Sequence, residues 1–270
     1  MVNLKYMFSI IFVIFFTSCA RYSLESRLDY AQELANKNHF ILENIQTKNF
    51  YLRTYRKLNN NKQALRIYVE GDGFAWVTRT TLSSDPTPIK PIALELASSD
   101  KYENLAYIAR PCQYVKNLDK KCSSEYWSNK RFSKEVISSI NEAIDVLKAK
   151  QKNKNIELIG FSGGGAIVTL VAAKRKDVVK ITTIAGNLNH KLLNEYHNVS
   201  QMKGSLNPID IASKISYIPQ LHLVGGDDKI MPPLIAKSFK KASKNPKNIK
   251  IKIIPNVTHT KGWKLKYLDE

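Results

Sequence analysis

The stretch Ile156-Glu157-Leu158-Ile159-Gly160-Phe161-Ser162-Gly163-Gly164-Gly165-Ala166-Ile167-Val168-Thr169-Leu170-Val171-Ala172 decides the reading of this chain. It opens as a short apolar run of the kind used by buried strands and continues as a helix of small residues. Between the two stands Gly-x-Ser-x-Gly, residues 160–164. A turn that passes from strand straight into helix is tight enough for neighbouring side chains to collide, so glycine flanks its central residue. The serine is held in a strained backbone conformation with its hydroxyl clear of the sheet edge. The amide of Gly163, at a helix N-terminus, can stabilise developing negative charge. Ser162 is therefore the candidate nucleophile and Gly163 a candidate oxyanion donor. The five-letter string alone carries little weight, and its position between strand and helix carries the argument.

Working outward, short apolar strands alternate with helices on both sides of this turn. LRIYVE (65–70), LAYIA (105–109), KITTIA (180–185), QLHLVG (220–225) and IKIIPN (251–256) join IELIG (156–160) as six strands. Their unbroken apolar character predicts a parallel sheet covered on both faces. Upstream, Phe40 and Leu42 alternate against Phe50 and Leu52 around Thr47-Lys48-Asn49, which predicts an antiparallel hairpin and brings the count to eight strands. Val136, Ile140, Ala143, Ile144 and Leu147 fall on one face of a helix from Ser133 to about Lys150. The fold class is α/β: one mostly parallel eight-stranded sheet with helices on both faces. The interval from Gly186 to Pro219 is long enough for a helix or two and too short for a large cap, so little or no lid is expected.

A serine hydroxyl needs a base to take its proton, and the base needs an acid to fix its tautomer. In α/β-hydrolases these follow the nucleophile in the order acid, then histidine. Of five histidines, His259 alone lies after the last strand, whereas His222 sits inside a strand and reads as a core residue. The strand QLHLVG runs into Gly226-Asp227-Asp228-Lys229-Ile230-Met231-Pro232, and Asp228 matches a G-x-x-D-x-x-x-P layout counted from Gly225. Asp228 is the candidate acid, with Asp227 as a turn residue. The loop after LRIYVE, Gly71-Asp72-Gly73-Phe74, would supply the second oxyanion donor from a main-chain amide of residues 72–74, with Asp72 and Gly73 as candidates. This chemistry calls for no organic cofactor and no metal.

The first residues differ in kind from the rest. Lys5 precedes the apolar run Phe8–Phe16, too short to span a bilayer and suited to an export signal. Phe16-Thr17-Ser18-Cys19 resembles the lipobox of bacterial lipoproteins, which implies a signal over 1–18, lipidation at Cys19 and a membrane anchor. Ala20 after the cysteine points to the outer membrane, facing the periplasm. Residues 19–38, with helical spacing of Leu24, Leu28, Ala31, Leu34 and Ala35, form an N-terminal spacer or helix before a hydrolase domain over 39–270. An exported chain sits in an oxidising compartment, so Cys112 and Cys122 are expected to form a disulfide. The net charge of +19 suits an anionic surface, although the basic residues do not gather in one block. Export and the lack of a recognition motif argue against nucleic acid as a partner.

From about Ile67 to Trp263 the chain resembles a group of bacterial α/β-hydrolase lipoproteins. The matching segments are YVEGDGFAW (68–76), DPTP (85–88), IARPCQYV (108–115), YWSNKRFS (126–133), GFSGGGA (160–166), AGNLNH (185–190), SLNP (205–208), VGGDD (224–228) and HTKGW (259–263). The resemblance implies the α/β-hydrolase fold and a triad of Ser162, Asp228 and His259. Taken together, the expectation is a carboxylic-ester or related acyl hydrolase of the cell envelope, acting on a small-molecule or envelope acyl substrate. An amidase or peptidase using the same triad is the alternative among enzymes. A binding lipoprotein that keeps the fold without turnover is the alternative outside them.

Overall fold

The computed structural model describes residues 23–268 apart from 61, 116–118 and 153. The expected signal over 1–18 and Cys19 lie outside the described residues. Eight strands form one sheet: β1 (Ile41–Gln46), β2 (Tyr51–Leu58), β3 (Leu65–Val69), β4 (Asn104–Ile108), β5 (Ile156–Phe161), β6 (Val178–Ile184), β7 (Gln220–Gly225) and β8 (Ile249–Ile254). Their spatial order is β1-β2-β4-β3-β5-β6-β7-β8. β2 runs antiparallel to both neighbours and every other pairing is parallel.

The hairpin turns where the alternation broke. Thr47 closes it, its hydroxyl donating to the Phe50 carbonyl at 2.7 Å and accepting from the Phe50 amide at 3.0 Å. Burial follows the sequence pattern strand by strand. The central strands β4 and β7 are buried along their whole length, whereas the edge strands β1 and β8 expose residues to solvent. A strand without an exposed residue needs cover on both faces, and the helices provide it.

The helices are α1 (Leu24–Lys37), α2 (Ile92–Ser99), α3 (Lys134–Ala149), α4 (Gly163–Ala172), α5 (His190–Tyr196) and α6 (Pro233–Ala242). Ser133 caps α3, as its position before the apolar stripe predicts, with its hydroxyl accepting from the Val136 amide. All ten residues of α4 are buried, so small side chains are what lets this helix lie against β5 and β6. Ala31 and Ala35 of α1 are fully buried in the common core, and Arg27 donates to the Thr87 carbonyl at 2.5 Å. Helix α1 is thus packed into the domain. Between β6 and β7 the chain forms only α5 and a short 3-10 turn at Pro208–Ile211. Among the described residues, no helix is long and apolar enough to cross a membrane.

Candidate active site

The sharpest local feature is the backbone of Ser162, at φ 50° and ψ −116° between the end of β5 and the start of α4. A non-glycine residue in this region costs on the order of 1–3 kcal/mol, which the surroundings must offset. They do so with main-chain bonds. The Ser162 amide donates to the Ile184 carbonyl at 2.8 Å, and its carbonyl accepts from Gly165 and Asn187, each at 3.0 Å. Glycine is required beside it for space: a Cβ on Gly164 would stand 2.2 Å from the Val69 carbonyl oxygen.

Two further strand ends deliver partners to this hydroxyl. His259, in the loop after β8, places Nε2 3.0 Å from Ser162 Oγ. Its Nδ1 lies 2.8 Å from Asp228 Oδ2, and Asp228 follows β7. The other oxygen of that carboxylate, Oδ1, accepts from the amides of Ile230 and Met231, both at 2.8 Å. The Asp228 side chain is fully buried, while Asp227 beside it is exposed and makes its main-chain bond to the Val257 carbonyl. On the imidazole side, Phe161 packs with ring centroids 5.3 Å apart, and Trp263 Nε1 donates to the His259 carbonyl at 2.8 Å. His222, read from the sequence as a core residue, is fully buried with Nδ1 2.8 Å from Thr183 Oγ1. Burial, aided by Lys240, pushes its pKa down to about 3, so the ring is neutral.

The loop after β3 faces the same hydroxyl across a cleft of about 450 Å³. Apolar groups from Phe74, Trp76, Ile89, Phe161 and Ile230 supply much of the wall. A cavity of about 330 Å³ adjoins it, sharing Lys90, Ile92 and Thr260. Of the loop's amides, Gly71 donates to Glu70 Oε1 at 2.9 Å and Phe74 to the Pro86 carbonyl at 3.0 Å. Among the described residues those of Asp72 and Gly73 have no such partner. Of residues 72–74, the Phe74 amide is thus engaged elsewhere.

Four contributors escaped the sequence reading. Glu70, at the end of the β3 segment, is buried in the wall of the cleft, where it also accepts from the Tyr107 hydroxyl at 3.2 Å. Burial pushes its carboxyl up to about 7, against the pull of the Gly71, Ala93 and Leu94 amides and Tyr107. Arg110 and Arg131 close on the Asp72 carboxylate at 2.8 Å and 2.7 Å. Trp263, the fourth, braces the His259 loop. Glu70 had a signal, a carboxylate at the mouth of a glycine turn after a strand; the arginines lay within the matching segments 108–115 and 126–133, which gave them no role short of tertiary structure. Cys112 and Cys122 are joined as a disulfide, with Cα atoms 5.4 Å apart.

Comparison with solved structures shows the α/β-hydrolase fold. Est1E from Butyrivibrio proteoclasticus superposes with a TM-score of 0.57 at 16% identity, covering 84% of this chain and 93% of that one. An esterase of Pyrococcus furiosus gives 0.56 at 12%, covering 83% and 85%. An α/β serine hydrolase without lid from Xanthomonas campestris gives 0.51 at 12%, covering 85% and 89%. Among curated protein sequences none matches the chain. The dienelactone hydrolase family model matches residues 113–261, a span that holds the Ser162 turn, the Asp228 loop and His259. With the match covering more than half of its length, the chain belongs to the dienelactone hydrolase family and is an enzyme of the serine-hydrolase type.

Proposed function

We propose that the protein hydrolyses carboxylic esters through an acyl-enzyme, with Ser162 as nucleophile, His259 as base and Asp228 as the acid that orients it. The observation that carries this reading is the continuous line Asp228 Oδ2, His259 Nδ1, His259 Nε2, Ser162 Oγ, with gaps of 2.8 and 3.0 Å, ending on a serine with positive φ. As Ser162 Oγ bonds to the acyl carbon, its proton passes to His259 Nε2. The carbonyl oxygen takes the electron pair and faces the amides of Gly163 and of Asp72 or Gly73. When the carbonyl re-forms, the bond to the leaving oxygen breaks and His259 returns the proton to that oxygen. A water then adds to the acyl carbon as its proton passes to His259; the bond to Ser162 Oγ breaks, His259 returns the proton to Oγ, and the acid leaves.

The apolar cleft wall and the limited cover between β6 and β7 support a compact acyl group, from a small molecule or from the cell envelope. The apolar run Phe8–Phe16 and the lipobox-like Phe16-Thr17-Ser18-Cys19 support an enzyme tethered to the envelope by lipid. A fluorophosphonate probe tests the chemistry: the wild type should be labelled and turn over an activated ester, and Ser162→Ala should do neither. Labelling that survives in Ser162→Ala would refute the assignment.

A further inference from the structure

We propose that Arg110 and Arg131 are positioning residues for the oxyanion hole: through the Asp72 carboxylate they hold the 72–73 loop against Gly163. This rests on the esterase reading above. The contact begins at glycine. A Cβ on Gly163 would lie 2.1 Å from Asp72 Oδ1 and 2.9 Å from Arg110 Nη1, so the carboxylate and one guanidinium occupy the space beside the first residue of α4. The Asp72 side chain thereby spans the two stretches whose amides would face the oxyanion.

Each carboxylate oxygen has its own guanidinium. Arg110 Nη1 donates to Oδ1 at 2.8 Å and Arg131 Nη1 to Oδ2 at 2.7 Å. The arginines are themselves anchored. Arg110 Nη2 donates to the Arg131 carbonyl, and its guanidinium lies 5.4 Å over the Phe132 ring. Arg131 Nε donates to the Ser128 carbonyl at 2.9 Å. Gln113 adds a neutral tie, donating from Nε2 to the Gly71 carbonyl at 2.9 Å and accepting the Arg110 amide at 3.1 Å. The loop after β3 is thus fixed by the loop after β4 and by the segment before α3.

Charge explains why two arginines stand here instead of one. A bare carboxylate next to a developing oxyanion would oppose it. While the buried Glu70 carboxyl, pushed up to about 7, stays protonated, two guanidiniums against the Asp72 carboxylate leave the cluster net positive and reverse that sign. Burial pushes the Asp72 carboxyl up, but Arg131 and Arg110 outweigh it and hold the group below its ordinary value, so the ion pair stays formed. Arg110 is almost fully buried, and without Asp72 its charge would be stranded. Asp72 substitutions therefore risk the fold. Arg131, more exposed and lining the cleft with Ser162, is the residue to change.

Arg131→Gln removes the charge and the ion pair while leaving Arg110 paired to Asp72. It should lower kcat per active site on the order of 10- to 100-fold with KM changed less than about threefold, and slow fluorophosphonate labelling by a similar factor. Arg131→Lys restores the charge and should recover most of the loss. Titrating active sites with the probe separates the roles: a merely structural arginine would lower the active fraction and leave kcat per site unchanged. Wild-type kcat and labelling rate per site in Arg131→Gln would overturn the clamp. So would a change confined to KM, or a lysine variant no better than glutamine. A wild type that takes no label at Ser162 would overturn the esterase reading itself and the clamp with it.

Discussion

Replacing Asp228 by asparagine should cripple the enzyme through the tautomer of His259, and the geometry says why the new amide cannot avoid it. The carboxylate uses one oxygen to accept two main-chain N–H groups, from Ile230 and Met231, and the other to accept from His259 Nδ1. Asparagine has one oxygen to distribute. If that oxygen stays under the two amides, its NH₂ faces Nδ1 and demands a lone pair there. The proton then moves to Nε2, which can no longer accept from Ser162 Oγ at 3.0 Å. The flipped amide would set NH₂ against both N–H donors and lose two bonds, at about 1 kcal/mol or more each, so the first orientation wins. A wrong tautomer lowers turnover by a factor on the order of 10³–10⁴, or about 4–5.5 kcal/mol of transition-state stabilisation. Asp227→Asn is the control, because that side chain is exposed and its link to Val257 is made by the main chain. Steady-state rates on an activated ester, normalised to folded protein, give the comparison. An Asp228→Asn enzyme within tenfold of wild type would refute the tautomer argument, and a crippling Asp227→Asn would move the acid by one residue.

Two further outcomes follow from other parts of the molecule. Glu70 titrates at about 7 in the folded chain against an ordinary 4.5. The unfolded chain therefore binds fewer protons between those values, and stability from this group is present at low pH and lost as pH rises through about 7. Glu70→Gln, which keeps an acceptor for the Gly71 amide, should gain on the wild type by about 3 kcal/mol between pH 4.5 and pH 8; a pH-independent difference in urea unfolding would count against the shift. Cys19→Ala should release the protein from the membrane fraction and abolish incorporation of a fatty-acid analogue, whereas a wild type without lipid would refute the lipoprotein proposal.

What the sequence disclosed and what it withheld divide along a physical line. Ser162 was legible because a strand-to-helix turn forces glycines on its neighbours, and those glycines are adjacent in the chain. That Asp228 and His259 meet near Ser162 was legible because each follows an apolar strand that announces itself. Helix α2 was not read: its segment, IALELASS, is apolar nearly all round, and a helix buried on most sides shows little periodicity. The arginine clamp was invisible for a different reason. Arg110 and Arg131 stand 38 and 59 positions from Asp72, and no local rule of spacing couples them. The same holds for Arg27 of α1, whose bond to the Thr87 carbonyl spans 60 positions and ties a helix that looked like a spacer into the domain.

The parallel sheet is what makes these distant groups one site. Ser162 and His259 stand 97 residues apart in the chain, and Asp228 and His259 31 apart, yet each follows the C-terminal end of its strand. Parallel strands place those ends along a single edge, with Asp72 after β3, Arg110 after β4, Ser162 after β5, Asp228 after β7 and His259 after β8. Strand order then sets the sides. β3 and β4 lie on one side of β5, and they deliver the loop and the arginine that face Gly163. β7 and β8 lie on the other, and they deliver Asp228 and His259, the acid and base of the proposed reaction. In that proposal charge divides the same way, with the two guanidiniums about Asp72 flanking the oxyanion donors and the Asp228 carboxylate behind the imidazole. In the proposed mechanism the proton leaves Ser162 toward the β8 side while negative charge develops toward the β3 side. The two events are kept apart by the serine that joins them, whose strained backbone is held by main-chain bonds to Ile184, Gly165 and Asn187.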